Sequence, residues 1–312
     1  MDKQIELLRA IRESLQANDY PRAIANLEKV VELARKNGDT SAMSRHLGNL
    51  ALTYYRLGNP EQALIHFNAA LDQARKDNDR MTQNGLLGNM GNILREVKRY
   101  DDAIKHLNEA LLIAQELGDS RGRGIWLSNL GLVYDDLRKP QESIPLHEKA
   151  VKLARQMQDK PSLASRLGNL GNSYVVKGDY VQATENFKES IVLYDELGRK
   201  PEVALRVGII GNLYAEMGRN ESDGEIAFKR FHESLDYYGR AMTLTQELGD
   251  KASEAEVVRS IGHVLVDAGQ LDDAAQYLDV AQQMFDALGL KKQAASSRKT
   301  LKRLIKFLEQ EA

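Results

Sequence analysis

Asparagine stands at positions 49, 89, 129 and 169, each forty residues after the last. A primary amide carries a donor and an acceptor, the two groups that a peptide bond also presents. A column of such side chains could therefore hold the backbone of an extended chain. Arg9 precedes Asn49 in that column, and Ile209 and Ser260 follow Asn169. Three residues on, a second column reads Arg12, Leu52, Asn92, Leu132, Asn172, Asn212 and His263. Residues three apart share one face of a helix, so the columns form adjacent rails. Arg45, Arg56 and Arg95 accompany Arg9 and Arg12 toward the N-terminal end; Asp135, Asp136, Glu216 and Asp267 fall toward the other. A ligand carboxylate beside the arginines would gain charge-assisted hydrogen bonds, so the expected peptide is acidic over the first three repeats. The asparagines could also bridge neighbouring helices and specify their stacking; the spacing is compatible with both roles.

Other chemistries fail one by one. His66 and His106 share a repeat position, but helices stacked about 10 Å apart cannot bring both within about 2 Å of one zinc. Gly85, Gly88 and Gly91 lie in a helical pattern with no strand before it, so they form no phosphate loop. Asp101 and Asp102 open a helix, where the dipole accounts for them. The chain has no cysteine, which excludes disulfides, thiolate metal sites and a cysteine nucleophile. No nucleophile, base and orienting group recur near one another. The sequence thus predicts no catalytic residue, no metal and no cofactor.

The elements that must carry the rails come from repetition. Leu47-Gly48-Asn49-Leu50-Ala51 returns as Leu87-Gly88-Asn89-Met90-Gly91, Leu127-Ser128-Asn129-Leu130-Gly131 and Leu167-Gly168-Asn169-Leu170-Gly171, with a weaker copy from Val207. Repeats start near 7, 47, 87, 127, 167, 207 and 258, and the last interval leaves an 11-residue insertion within 219–234. Inside a repeat the apolar spacing is helical and changes face halfway. Leu47, Leu50, Tyr54 and Leu57 form one stripe; Ala63, Leu64, Phe67, Ala70 and Leu71 form the next, after Gly58-Asn59-Pro60. Gly38, Gly118, Gly198, Gly249 and Gly289 share a junction slot with Asn78, suited to a left-handed helix end. An aspartate follows at 39, 79, 119, 159 and 250, where it can cap the next helix. Small residues at 51, 91, 131, 171, 211 and 262, and opposite them at 23, 63, 103, 143, 183, 234 and 274, predict close helix crossings. Gly48, Gly88, Gly168 and Gly208 stand beside the rail and lower helix propensity, which suggests space kept for a ligand or for a neighbouring helix. Eleven residues make about three helical turns, so the insertion reads as a longer second helix starting near Ser222 or Asp223. Pro145 is expected to distort the start of its helix. Leu301, Leu304, Ile305 and Leu308 predict a closing helix over 291–310, and Ile11 in a small position marks an atypical first repeat. Arrays grow in one dimension, so 1–312 reads as a single solenoid domain.

A formal net charge of -2, with no basic stripe, argues against nucleic acid as partner. Aromatics at 6% and a single tryptophan argue against a large aromatic ligand pocket. No apolar run is long enough for membrane insertion, and the start Met1-Asp2-Lys3-Gln4-Ile5-Glu6 lacks a signal peptide's features. The expected location is cytoplasmic.

The order Leu50, Ala51, Tyr54, Gly58, Ala63, Phe67, Ala70 resembles the tetratricopeptide repeat, usually 34 residues long. The 40-residue form looks like the arrays of Pins-type spindle-orientation adaptors and is similar to kinesin light chain and to bacterial tetratricopeptide proteins. No GoLoco repeats follow, which sets the chain apart from an intact Pins-type adaptor. The resemblance spans residues 5 to 290. It implies an all-α, right-handed superhelical solenoid of about seven helix-turn-helix units plus a C-terminal capping helix, with first helices lining a concave groove. It also implies a scaffold or adaptor that binds an extended peptide segment of a partner through Asn49, Asn89, Asn129 and Asn169, a correspondence that lapses at Ile209. Self-association into a scaffold, and a regulatory sensor answering a signalling peptide or an effector domain, stay open as alternatives.

Overall fold

The structure, a computed structural model, describes residues 2–311; Met1 and Ala312, the ends of the expected 1–312 domain, lie outside the described residues. The chain divides into two compact units, one up to Met157 and one from Gln158. Among the described residues there are fifteen α-helices and no strands. Unit 1 holds the hairpins α1 (Asp2–Gln16) and α2 (Tyr20–Lys36), α3 (Thr40–Arg56) and α4 (Pro60–Lys76), α5 (Arg80–Glu96) and α6 (Tyr100–Glu116), α7 (Ser120–Asp136) and α8 (Pro140–Gln156). Unit 2 holds α9 (Lys160–Lys177) and α10 (Tyr180–Glu196), α11 (Lys200–Arg219) and α12 (Gly224–Leu248), α13 (Lys251–Asp267) and α14 (Leu271–Ala287). The last helix, α15 (Lys291–Glu311), packs on α14. Seven hairpins and a closing helix make the all-α solenoid that the repeats predict.

The junction chemistry works as the sequence implies. Asp39 accepts from the Ala42 amide at 2.8 Å, Asp79 from Thr82 at 3.0 Å and Asp119 from Gly122 at 2.9 Å. Each satisfies a helix-start donor that has no intrahelical acceptor. Just before them, Gly38 has φ +66° and Asn78, in the same slot, +53°. Inside the hairpins the small positions are filled by one large side chain from the second helix. A Cβ on Gly91 would lie 2.5 Å from Leu107, and one on Gly171 2.9 Å from Phe187. Phe67, Leu107 and Phe187 are buried among Ala63, Ala70, Ala103, Ala110 and Ala183, all inaccessible. Burying each large side chain stabilises by about 1.5–3 kcal/mol.

The insertion is shared between two helices. The helix α11 has 20 residues and α12 has 25, against 17 in both α5 and α6. Asp223 caps α12, accepting from Glu225 and Ile226 amides, near the expected start. The longer second helix is the one the sequence predicts, and α11 also runs on by three residues. The added length is secured by Gly218, whose Cβ would lie 2.6 Å from Phe231 of α12. Pro145 does not shorten α8, which keeps 17 residues. Ile11 is buried with Ile24, Leu27 and Leu50. On α15, Ala294 and Leu304 are buried while Lys302 is exposed.

Candidate functional site

In unit 1 the first helices α3, α5 and α7 are successive neighbours. Arg45 and Asn49 of α3 and Asn89 of α5 line one hollow of about 320 Å³, together with Gly48, Leu52 and Phe67. Leu86 forms its inner wall, 3.0 Å from where a Cβ on Gly48 would stand. Arg45 and Asn49 are exposed and Asn89 is half-buried. The Arg45 guanidinium donates to Ser41 Oγ at 3.2 Å. Across the helix junction, the Thr82 hydroxyl donates to Asp79 at 2.6 Å. That bond, the Thr82 amide and the charge of Arg45 hold the Asp79 carboxyl below the usual carboxylate range.

The equivalent hollow of unit 2 lies between α11 and α13, over α12. It measures about 330 Å³, and nine of its fourteen lining residues sit 160 positions after a residue lining the first hollow, or 171 beyond the insertion. The chemistry is reversed. Leu205 replaces Arg45, Ile209 replaces Asn49, Val257 replaces Leu86 and Glu256 replaces Gly85. Asn212 lies on its wall, and the Tyr238 hydroxyl donates to Asn212 Oδ1. Burial above all pushes the Tyr238 phenol up to about 12, so it keeps its proton for that bond. The amide N–H groups of the exposed Asn212 are uncommitted to it.

The remaining rail residues line neither hollow. Asn92 on α5, Asn129 on α7 and Asn169 on α9 are half-buried, and Asn172 on α9 is exposed. Arg9 and Arg12 are exposed on α1, and Arg56 is exposed at the end of α3. Arg95 is tied down: its Nε lies 3.4 Å from Asp136 Oδ2, linking α5 to α7. Asp135 meets the buried His147 of α8 at 3.0 Å. Arg219 binds both Glu216 and Asp267, the latter at 2.7 Å. Asp136, Glu216 and Asp267 are therefore held in ion pairs, and Asp135 in a hydrogen bond with His147. His263 is half-buried on α13, and burial, followed by the charge of Arg259, lowers its pKa. His66 stacks on Tyr54 at 5.1 Å between ring centroids, and His106 Nδ1 lies 2.8 Å from the Asp102 carbonyl. Both are local contacts. Among the described residues no group of three or more His, Cys, Asp or Glu could hold a metal.

The glycines beside the rail divide into two kinds. A Cβ on Gly88 would lie 2.2 Å from Trp126, and one on Gly168 2.4 Å from the Arg206 guanidinium. The next first helix thus fills these notches, as Leu86 does at Gly48. At Gly208 a Cβ would meet nothing within 4 Å. Trp126 is further anchored by a bond that sequence reasoning missed. Its indole N–H donates to Asn84 Oδ1 at 3.0 Å, and Asn84 Nδ2 donates to the Ala110 carbonyl at 2.6 Å. That buried chain joins α5, α6 and α7. The only sequence signal for it is that Leu86, Trp126, Arg206 and Val257 form a column of changing bulk.

Residues 14–76 and 82–156 match the tetratricopeptide repeat family. Unit 1 is built of tetratricopeptide repeats. The whole chain resembles a Rap protein solved in complex with Competence and Sporulation Factor, at 15% identity over 100% of this chain and 99% of that one, with a TM-score of 0.53. BtubC from P. vanneervenii is 19% identical over 74% of this chain and 92% of its own, with a TM-score of 0.63. The nearly identical TPR-like repeats of a Podosopora anserina kinesin light chain are 14% identical over 66% of this chain and 97% of theirs, at 0.56. At such identities the likeness is one of fold. No curated protein matches the chain by sequence. Among the described residues no helix is long and apolar enough to cross a membrane.

Proposed function

We propose that the chain is a protein-interaction scaffold that holds an extended segment of a partner against its first helices. Tetratricopeptide folds of this kind are protein- and peptide-binding scaffolds rather than enzymes. The observation that carries the reading is the hollow of unit 1, where Arg45, Asn49 and Asn89 share one surface. Helices about 10 Å apart match an extended chain advancing about 3.3 Å per residue, so successive asparagines can meet its backbone at every third residue. A Rap protein of similar fold, solved in complex with Competence and Sporulation Factor, supports a binding role. Arg45 faces solvent, so a ligand carboxylate is the matching group, whereas Arg95 already has Asp136.

Peptides selected from a random display library on the full chain should be enriched in Glu and Asp. Arg45→Glu should weaken their binding about tenfold, as loss of a charge-assisted bond would. Added salt should weaken it too, since exposed charges are screened beyond about 8 Å at physiological ionic strength. Affinity indifferent to both salt and the reversal would overturn the acidic-ligand reading.

A further inference from the structure

We propose that the hollow of unit 2 is a socket for one bulky apolar side chain of a partner peptide, aromatic or leucine-sized, with a basic residue beside it. The proposal rests on the peptide-binding reading above and adds a second specificity to it. It comes from comparing one position through the array. At Gly48, Gly88 and Gly168 the notch beside the rail is closed from within the chain by Leu86, Trp126 and Arg206. At Gly208 the residue in the closing column is Val257, which does not reach it. A large side chain is supplied internally at Gly48, Gly88 and Gly168 and is missing at Gly208, so a partner can supply it.

The walls agree with that occupant. Ala204, Leu205, Ile209 and Val257 line the hollow, and Leu205 is 61% exposed although apolar. A volume of about 330 Å³ is at the low end for ligand pockets, where a single side chain rather than a whole cofactor fits. The charged groups of the lining are Asp250 and Glu256, both acidic, with no lysine or arginine among them. Arg259 pairs with Glu256 from outside the lining, and Asp250 caps α13 through the Ser253 amide. Glu256 is thus already matched, and Asp250 is the lining charge that selects a cation next to the apolar anchor, the reverse of the selection by Arg45 in unit 1.

The test uses the full chain and four capped peptides. Three have the form Gly-Ser-Lys-X-Lys-Ser-Gly with X as Trp, Leu or Ala, and the fourth is the Trp peptide with Glu in place of Lys. The Trp–Lys peptide should shift the methyl resonances of Leu205, Ile209 and Val257 and bind about thirtyfold or more tightly than the Ala peptide, the usual effect of a hot-spot anchor. Val257→Trp and Gly208→Leu each close the notch and should abolish that binding. Gly208→Leu keeps the test decisive if the tryptophan variant misfolds, because a Cβ at 208 has open space. An Ala peptide binding as well as the Trp peptide, or undiminished binding to a folded closed variant, would overturn the socket. Equal binding of the Glu-flanked peptide would overturn the basic neighbour. Asn49→Ala with Asn89→Ala separates the two hollows. Unchanged Trp-peptide binding there supports the socket whatever acidic peptides do at Arg45, and its loss would overturn the assignment to this hollow.

Discussion

A methyl group added to Gly88 would stand 2.2 Å from the Trp126 ring, while the same group on Gly208 would meet nothing within 4 Å. Trp126 cannot swing aside freely, because its indole N–H is bonded to Asn84 in a buried site. Gly88→Ala should therefore destabilise the chain by about 1–3 kcal/mol through overpacking. Gly208→Ala should stabilise it by about 0.4–1 kcal/mol, since a helical glycine loses more chain entropy on folding than alanine does. Urea unfolding of the two variants checks this; equal shifts would show that the glycine column serves no packing role. The glycine column itself is visible in the sequence. What fills each notch is not, because Leu86, Trp126, Arg206 and Val257 share only a position, and their reach depends on side-chain direction. The asparagine column is visible in the sequence for the opposite reason: its residue type repeats. The pairing of Arg95 gives no such signal, since nothing in its own repeat announces Asp136 forty-one residues later.

Helix boundaries were readable wherever a residue type enforces them. Asp79 caps α5, with a carboxyl held below its ordinary range chiefly by the Thr82 hydroxyl and then the Thr82 amide. Asp79→Ala should cost about 1 kcal/mol of stability at neutral pH. The sign follows from the direction of the shift. A carboxyl with a folded pKa below its unfolded value of about 3.9 contributes fully above that value. Its contribution fades as pH falls through the folded pKa. The stability gap between wild type and variant should thus be constant near neutrality and shrink only in acid below about pH 4, measured by unfolding across pH. A gap that closes near pH 6 would contradict the cap as its source. The insertion was legible in length but not in allotment. Eleven residues preserve helical phase whichever helix takes them, so periodicity alone could not assign three to α11. The contact between Gly218 and Phe231 makes that assignment.

In a repeat array each unit is stabilised by its neighbours, so the array needs a closed end. Phe285, Ala281 and Leu278 of α14 are inaccessible, and α15 packs on that helix. Deleting residues after Leu290 should leave the last hairpin fraying, with fast hydrogen exchange through α13 and α14 and increased aggregation. A truncated chain as protected and as soluble as the full one would show that α15 is no cap. The repeat count, the helix order and the closing helix were all legible, because one-dimensional repetition prints each unit on the sequence several times. The chemistry of the two hollows was legible only at Ile209, which breaks the asparagine column; the rest depends on residues that do not repeat, as Arg45, Gly85, Ile125, Ser165 and Leu205 share one position. The central claim is that Asn49 and Asn89 serve a ligand rather than the stacking of α3 on α5. Calorimetric titration of the display-selected peptide into the Asn49→Ala, Asn89→Ala chain, with its urea unfolding in parallel, tests this most directly. The account predicts affinity lower by about tenfold or more, the loss of one or two hydrogen bonds, with an unchanged, cooperative unfolding transition. Undiminished affinity, or a transition that loses its cooperativity, would contradict it.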